Sequence, residues 1–382
     1  MSPAEKGEEP ASPHMIKIAQ PLFNPEVLDD IKAIIESGYL RQGPRVKEFE
    51  ETFKEKTGAR YAYAVNNGTA ALHVAYLSTL EPGDEVIVPS FTFLATASMV
   101  YHSRAKPVFA DIDPETYTID PEDVKKKITS NTKAVVPVHL FGNAADIDSL
   151  RDLCTDHGLW LIHDSAQAHG TRYCGVDVGS IDDLNCYSFY PSKTLTTGEG
   201  GMATTNNPEL YRKGVLLRAH GDDTRYHHVM MGFNYRLTEI AAVIGLDQMR
   251  QFDGFLKRRQ ECGGYLRDEI GRIEGLTPQR ITPKVEPSYS YFSLTLDPEA
   301  FRCTRDQFME ALKQKNIDSA VHYPTPLTQQ PVIKEKLNPD PTPVAEETAK
   351  NILSLPMHPA LTDQDLENIV AGVEKVVSNF SR

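Results

Sequence analysis

Cysteine is scarce in this chain. Its 382 residues hold five, at Cys154, Cys174, Cys186, Cys262 and Cys303, an odd number with no CxxC pair. That excludes a disulfide framework and a structural zinc site of the CxxC kind, and it suits a reducing cytoplasm. No metal ligand set emerges. Long apolar runs are also missing: no stretch approaches the roughly 18–20 residues that a membrane span needs. The first ten residues, Met1-Ser-Pro-Ala-Glu-Lys-Gly-Glu-Glu-Pro10, are acidic and polar, without the apolar core of a signal peptide. Basic runs are absent too. The net charge is −13, from 40 Lys and Arg against 53 Asp and Glu, which disfavours nucleic acid as a partner. An anionic substrate would have to be met by local positive charge. There are no internal repeats and no low-complexity tracts.

What is present suits a globular protein of two or three domains at roughly 150 residues each. Hydrophobic residues make up 40%, and 24 glycines add to them, enough for a large core. Residues 1–14 read as a disordered extension. Glu26–Ile35 then reads as an amphipathic helix ending at Gly38, with Leu28, Ile31 and Ile35 on one face. A second helix follows Pro44, with Val46, Phe49 and Phe53 in one stripe and Gly58 as its stop. Apolar runs at 61–65, 86–88, 107–110, 134–138, 159–163 and 184–190 alternate with helix-length segments. This is the pattern of an α/β fold with a mainly parallel sheet covered by helices. The character changes near Asp253. Residues 15–253 are expected to form the large domain, and 254–382 a smaller C-terminal α+β domain. The smaller domain would contain a strand at 289–296, a helix opened by the capping box Thr304-Arg-Asp-Gln307, a strand near 317–321 and a last helix entered at Thr362.

Three local patterns carry chemistry. Lys193 ends the run Asn185-Cys-Tyr-Ser-Phe-Tyr-Pro-Ser-Lys193 and opens a flexible loop rich in Gly and Thr. Read alone, it is a solvated surface charge. Desolvated, its neutral amine is a nucleophile for Schiff-base chemistry. Asp164 follows the unbroken apolar run Leu159-Trp-Leu-Ile-His163, which reads as a strand buried on both faces, so it stands where open α/β sheets place ligands. It either caps the next helix or holds a proton on a pyridine nitrogen. Finally, Asn66-Asn67-Gly68-Thr69 joins a strand-like run to an Ala-rich helix. It is either common turn chemistry or a phosphate cup at a helix N-terminus.

The order cup, strand-end Asp, loop Lys resembles fold-type-I enzymes that use pyridoxal 5'-phosphate (PLP). More narrowly, the chain resembles the DegT/DnrJ/EryC1/StrS family of sugar aminotransferases. The resemblance runs from about Ile16 to the C-terminus. It includes Ser37-Gly-Tyr-Leu-Arg-Gln-Gly-Pro44, Val88-Pro-Ser-Phe-Thr-Phe-Leu-Ala-Thr96, Phe109-Ala-Asp-Ile-Asp113, Pro137-Val-His-Leu-Phe-Gly142, Gly232-Phe-Asn-Tyr-Arg-Leu-Thr-Glu239 and Val321-His-Tyr-Pro-Thr-Pro326.

The resemblance implies roles. Lys193 would form the Schiff base and move the substrate proton. Asp164 would pair with the pyridine nitrogen, with Gln167 on the ring-hydroxyl side. Phe93 would stack on the cofactor, or else belong to the core, and Ala166 would pack on the other face. Gly68, Thr69 and Ser188 would bind phosphate, together with Asn234 of a partner subunit, which makes the protein a homodimer with shared active sites. Arg236 would support that interface or meet the substrate. His220 and Tyr226 would lie in a loop near the sugar or nucleotide. The neighbouring His227 and His228 have no third ligand at a metal-binding spacing. His322 and Tyr323 would line the substrate pocket or only pack the small domain.

The implied activity is amino transfer, from L-glutamate, onto a keto nucleotide-sugar in the cytoplasm. Where many relatives have Lys-Asn or Lys-Pro, this chain has Lys193-Thr194. That variant, with Asn234-Tyr-Arg-Leu downstream, is most similar to enzymes that aminate a 4-keto nucleotide-sugar, such as GDP-perosamine synthase. Relatives acting on 3-keto sugars more often carry Asn-Ser-Arg-Leu-Asp at the second place. A PLP-dependent sugar dehydratase, some of which replace the lysine by histidine, and a non-catalytic regulator are the other readings. Retention of Lys193, Asp164, Gln167, Thr69 and Ser188 speaks against both.

Overall fold

The computed structural model describes residues 14–382. Apart from His14, the extension expected at 1–14 lies outside the described residues. Short runs rich in β-branched and aromatic residues form the strands Tyr61–Val65 (β1), Glu85–Pro89 (β2), Lys106–Ala110 (β3), Thr132–Val135 (β4), Trp160–Asp164 (β5), Leu184–Ser188 (β6) and Gly201–Thr205 (β7). They make one sheet in the order β1-β7-β6-β5-β4-β2-β3. The pairs β2–β3, β2–β4, β4–β5 and β5–β6 are parallel, whereas β7 runs antiparallel to both β1 and β6. Helices cover both faces. This is the mainly parallel α/β sheet expected, with one reversed strand.

The chain beyond the helix Glu239–Ile270 forms most of the smaller α+β part. Its antiparallel sheet has the order β8-β9-β10, from Leu276–Pro278 (β8), Phe292–Leu296 (β9) and Ile352–Leu355 (β10). Two expectations are corrected here. The strand anticipated from residue 289 starts at Phe292, and the stretch 317–321 is no strand. It makes only two isolated bridges, Ile16–Ile317 and Ala320–Ser354. The Asp318 carboxylate accepts the N–H of Ile18 at 3.2 Å and of Ser319 at 2.9 Å, a side-chain alternative to ladder pairing. The sheet is completed instead by β10.

One helix, Glu239–Ile270, joins the two parts without a break at Asp253. Ala241, Ala242, Leu246, Phe252 and Phe255 pack with β1, β6 and β7 residues, whereas Cys262, Leu266 and Ile270 pack with β8 and β9. The helix Val27–Ser37 ends at Gly38, whose φ of +67° suits a residue without Cβ. Its expected apolar face is not covered by this chain: Leu28 is 69% exposed and Ile35 57%. Among the described residues no helix is long and apolar enough to cross a membrane.

Candidate active site

The carboxyl ends of the parallel strands converge on Asp164, the last residue of β5. It is buried, and its carboxylate accepts the Thr96 hydroxyl at 2.8 Å and the Ala166 N–H at 3.2 Å. Thr96 is itself fixed. Its hydroxyl lies 3.0 Å from that of Thr92, and its carbonyl accepts the Tyr76 hydroxyl at 3.0 Å. Burial raises the Asp164 carboxyl above its ordinary range, and these two hydrogen bonds and the nearby Lys193 charge oppose that rise only partly. Beneath the strand, His139 Nδ1 takes the Ala145 N–H at 3.2 Å. Its Nε2–H therefore faces His163 Nδ1 at 3.0 Å, and His163 in turn reaches Asp182 at 3.1 Å. The backbone of His139 also donates to the Asp164 carbonyl at 3.1 Å.

Lys193 stands in the turn after β6, its N–H bonded to the Tyr190 carbonyl at 2.9 Å. The loop that follows is pinned, contrary to the flexibility expected of it. Thr196 Oγ1 and the Thr197 N–H both reach the Phe189 carbonyl at 3.0 Å, and residues 194–197 are buried. From the small domain, the Tyr291 hydroxyl donates to Ser192 Oγ at 2.7 Å, one residue before the lysine. Desolvation lowers the Lys193 ammonium from 10.5 to about 8, and the Asp164 carboxylate pulls it partly back. A neutral amine is thus accessible near physiological pH.

Gly68 opens the helix Gly68–Thr79, and the side chain of its N-cap Asn67 accepts the Ala70 N–H at 2.8 Å. The amides of Gly68 and Thr69 have no partner within the helix and face outward from its positive end. A Cβ at position 68 would come within 2.6 Å of the Ser188 Cβ. Glycine is therefore what lets the helix start press against the end of β6, bringing Gly68, Thr69 and Ser188 together. This cradle fits an anion such as phosphate. A buried carboxylate without a cationic hydrogen-bond partner, and a lysine of lowered pKa beside it, fit the pyridine nitrogen and aldehyde of PLP.

Gln167 bridges two parts of the molecule. Its Oε1 accepts the Phe141 N–H at 2.7 Å, and its Nε2 donates to the Tyr323 hydroxyl at 3.1 Å. Phe93 is no core residue: it is 60% exposed, its ring 6.2 Å from that of Tyr323. Ala166 is half-buried beside Asp164. His322 packs on Tyr291 with ring centroids 4.2 Å apart, and burial with the Lys193 charge pushes its imidazole down to about 4. The structure thus brings Gly68, Thr69, Ser188, Asp164, Ala166, Gln167, Lys193, Phe93, His322 and Tyr323 to one region.

Other candidates stand apart. Asn234 is exposed, pairs only through a bridge to Ala219, and makes no hydrogen bond to the cluster. Arg236 is half-buried with no ion pair among the described residues. Tyr226 lies in the turn of a hairpin, Asp222–Thr224 with His227–His228, where it is 78% exposed, and exposed His220 precedes that hairpin. Among the described residues no group of three His, Cys, Asp or Glu side chains could hold a metal.

Three supporting residues escaped the sequence reading: Thr96, Tyr291 and Glu239. The buried Glu239 carboxylate accepts the N–H groups of Arg45 at 3.0 Å and Val46 at 2.9 Å, capping the helix Pro44–Thr57 and docking it beside the Arg236 segment. Thr96 and Glu239 end motifs already singled out. The polar residue that ends each motif in this chain was the available signal.

Comparison with known proteins accords with this geometry. The model of the DegT/DnrJ/EryC1/StrS aminotransferase family matches residues 22–374. The chain is 35% identical to a GDP-perosamine synthase of Caulobacter vibrioides over 95% of its own length and 98% of that protein. It is also 35% identical to the UDP-2-acetamido-2-deoxy-3-oxo-D-glucuronate aminotransferase of Pseudomonas aeruginosa, over 90% and 94%. Among solved structures, the PLP form of the putative sugar aminotransferase Spr1654 from Streptococcus pneumoniae superposes with a TM-score of 0.87 at 28% identity, covering 96% of this chain and 99% of that one.

Proposed function

The chain belongs to the DegT/DnrJ/EryC1/StrS aminotransferase family and is a PLP-dependent nucleotide-sugar aminotransferase; on that premise we propose that it transfers an amino group from L-glutamate to C4 of a keto nucleotide-sugar. The observation that carries the reading of the site is the buried Asp164 beside a lysine of lowered pKa, at the mouth of a helix-start anion cradle. When bound, PLP supplies an aldehyde for amine exchange and a ring that takes up an electron pair. The chain's own residues do the remainder. Gly68, Thr69 and Ser188 hold the phosphate, Asp164 holds a proton on the ring nitrogen, and Gln167, Ala166 and Phe93 fix the ring. Lys193 takes and returns the proton at the substrate carbon. His322 and Tyr323 bound the substrate side, with His220, Tyr226 and Arg236 further out.

The preference for C4 rests on the Lys193-Thr194 and Asn234-Tyr-Arg-Leu pattern. Amination at C3 is the second reading, favoured by the name of the Pseudomonas aeruginosa relative. We take the active unit to be a homodimer in the cytoplasm, with Asn234 completing the partner's phosphate site. Supporting this are the exposure of Asn234 and the uncovered apolar residues Leu28, Ile35 and Met231, the last 93% exposed. Residues 15–253 would be the large PLP-binding domain and 254–382 the small C-terminal one. The test is a panel of 3-keto and 4-keto nucleotide-sugars with glutamate, read by mass spectrometry and by NMR of the product. Amino transfer to C4 is expected. Product aminated only at C3, or no transfer from glutamate while another donor works, overturns the respective part of the reading.

A further inference from the structure

Beneath β5 a polar chain crosses the core, where apolar side chains would pack without needing hydrogen-bond partners. His139 and His163 are both fully buried. Strand alternation turns His163 away from Asp164 and toward the helix Ile147–His157, the side on which Leu161 packs with Leu150 and Cys154. The chain starts just before that helix and returns to it. The Ala145 N–H makes His139 Nδ1 an acceptor, so His139 Nε2–H meets His163 Nδ1 at 3.0 Å and His163 Nε2–H meets Asp182 at 3.1 Å. Arg151 of the same helix then grips Asp182 with Nε at 2.7 Å and Nη2 at 3.2 Å. A backbone donor at one end and a carboxylate at the other thus fix both imidazole tautomers. Burial and the neighbouring His163 hold the His139 imidazole well below its ordinary range, so it stays neutral.

The residues around His139 lead into the cofactor site. The Asp164 N–H donates to the Pro137 carbonyl at 2.9 Å, and the His139 N–H to the Asp164 carbonyl at 3.1 Å. Two residues further, buried Phe141 takes a φ of +64° and Gly142 one of +88°. The left-handed region is uncommon for a bulky residue and persists where the surroundings impose it. Here it aims the Phe141 N–H at Gln167 Oε1, 2.7 Å away. The far side of this turn is held by the Gly142 carbonyl, which accepts the Thr171 hydroxyl at 2.8 Å and the Ser288 N–H at 3.0 Å. The near side is held by His139, through its backbone and its ring.

We propose that His139, His163 and Asp182 are positioning residues for amino transfer: their relay locks the turn 139–142, and that turn holds Gln167 against the cofactor ring. The inference rests on the reading of Gln167 as the neighbour of the ring hydroxyl.

A double-mutant cycle on PLP binding separates this role from plain structural support. Each variant is first shown to be folded by its denaturation curve, then dialysed free of cofactor and titrated with PLP by absorbance. His163→Leu nearly keeps the side-chain volume and breaks the relay. It should weaken PLP binding by roughly five- to tenfold, the worth of one hydrogen bond, and move the absorbance band of the bound cofactor as Gln167→Ala does. In the Gln167→Ala background the same change should cost under about twofold, because the group it positions is gone. Losses that simply multiply in the double variant overturn the proposal. A silent His163→Leu beside an impaired Gln167→Ala overturns it alone. A silent Gln167→Ala overturns the reading of Gln167 and the inference with it. If His163→Leu does not fold, Asp182→Gly takes its place under the same criteria, since it removes the outer acceptor at a half-buried turn whose φ of +56° suits glycine.

Discussion

Removing the Thr96 hydroxyl while keeping its shape isolates what holds Asp164 in its charged form. Thr96→Val is nearly isosteric, and the Tyr76 bond to the residue 96 carbonyl survives because it is made to backbone. What is lost is the 2.8 Å donation to the Asp164 carboxylate, together with the 3.0 Å contact to Thr92. A hydrogen bond to a charged group contributes about 1.5–3 kcal/mol, equivalent to roughly one to two pKa units. Burial already raises this carboxyl, so the variant raises it further. The ring nitrogen of PLP needs the ionised form opposite it. PLP should therefore bind the dialysed Thr96→Val protein roughly ten- to hundredfold more weakly, with the loss greatest at acid pH and shrinking as pH rises. Absorbance titrations across pH measure this directly. An affinity within about twofold of the unaltered protein, with the acid limb unmoved, refutes the claim that Thr96 holds the charge of Asp164.

Asp164→Asn should keep the fold but lower transamination by roughly a hundredfold or more, and wild-type turnover by the folded variant removes Asp164 from its role. Lys193 titrates at about 8 in the fold against 10.5 unfolded, so the unfolded chain binds more protons between those values and the apoprotein gains stability as pH rises through that window; Lys193→Ala should erase that slope in denaturation curves, and an identical slope refutes it. Mixing inactive Lys193→Ala chains with inactive Asn234→Ala chains should restore activity through hybrid dimers, whereas a fully active monomer ends the shared-site reading. Tyr291→Phe removes the bond to Ser192, worth about 0.5–1.5 kcal/mol; kcat should fall with KM little changed, and a change in KM alone counts against a positioning role.

What the sequence made legible follows the range of the forces involved. Lys193, Asp164 and Gly68 could be found because each sits where a local pattern changes, at a strand end or a helix start, and because neighbours in sequence build that geometry. The alternation of apolar runs likewise announced the parallel sheet. The reversed strand β7 was not foreseen, since Gly201-Met-Ala-Thr-Thr205 reads much like its parallel neighbours and only pairing sets its direction. The misplaced strand at 317–321 has β-forming residues, but the Asp318 side chain takes the backbone donors that a ladder would use. Thr96, Tyr291 and Glu239 act on groups 68, 99 and 193 residues away. No local spacing records such contacts.

Lys193 and Asp164 show why one burial can serve two opposite needs. Desolvation drives both groups toward their neutral forms, lowering the amine and raising the acid. A neutral lysine is the useful nucleophile, but a neutral aspartic acid could not hold a proton on a ring nitrogen. The distinction lies in hydrogen bonding. Asp164 receives Thr96 and Ala166, whereas no protein group among the described residues hydrogen-bonds to Lys193 Nζ. The carboxylate is thus defended against the low dielectric and the amine is left to it. Because the Thr96 hydroxyl supplies the larger share of that defence, the separation of charge states depends on a residue remote in sequence from both partners. Weakening it should raise the acid, and wherever Asp164 turns neutral the amine loses the charge that partly offsets its burial and falls further toward its neutral form.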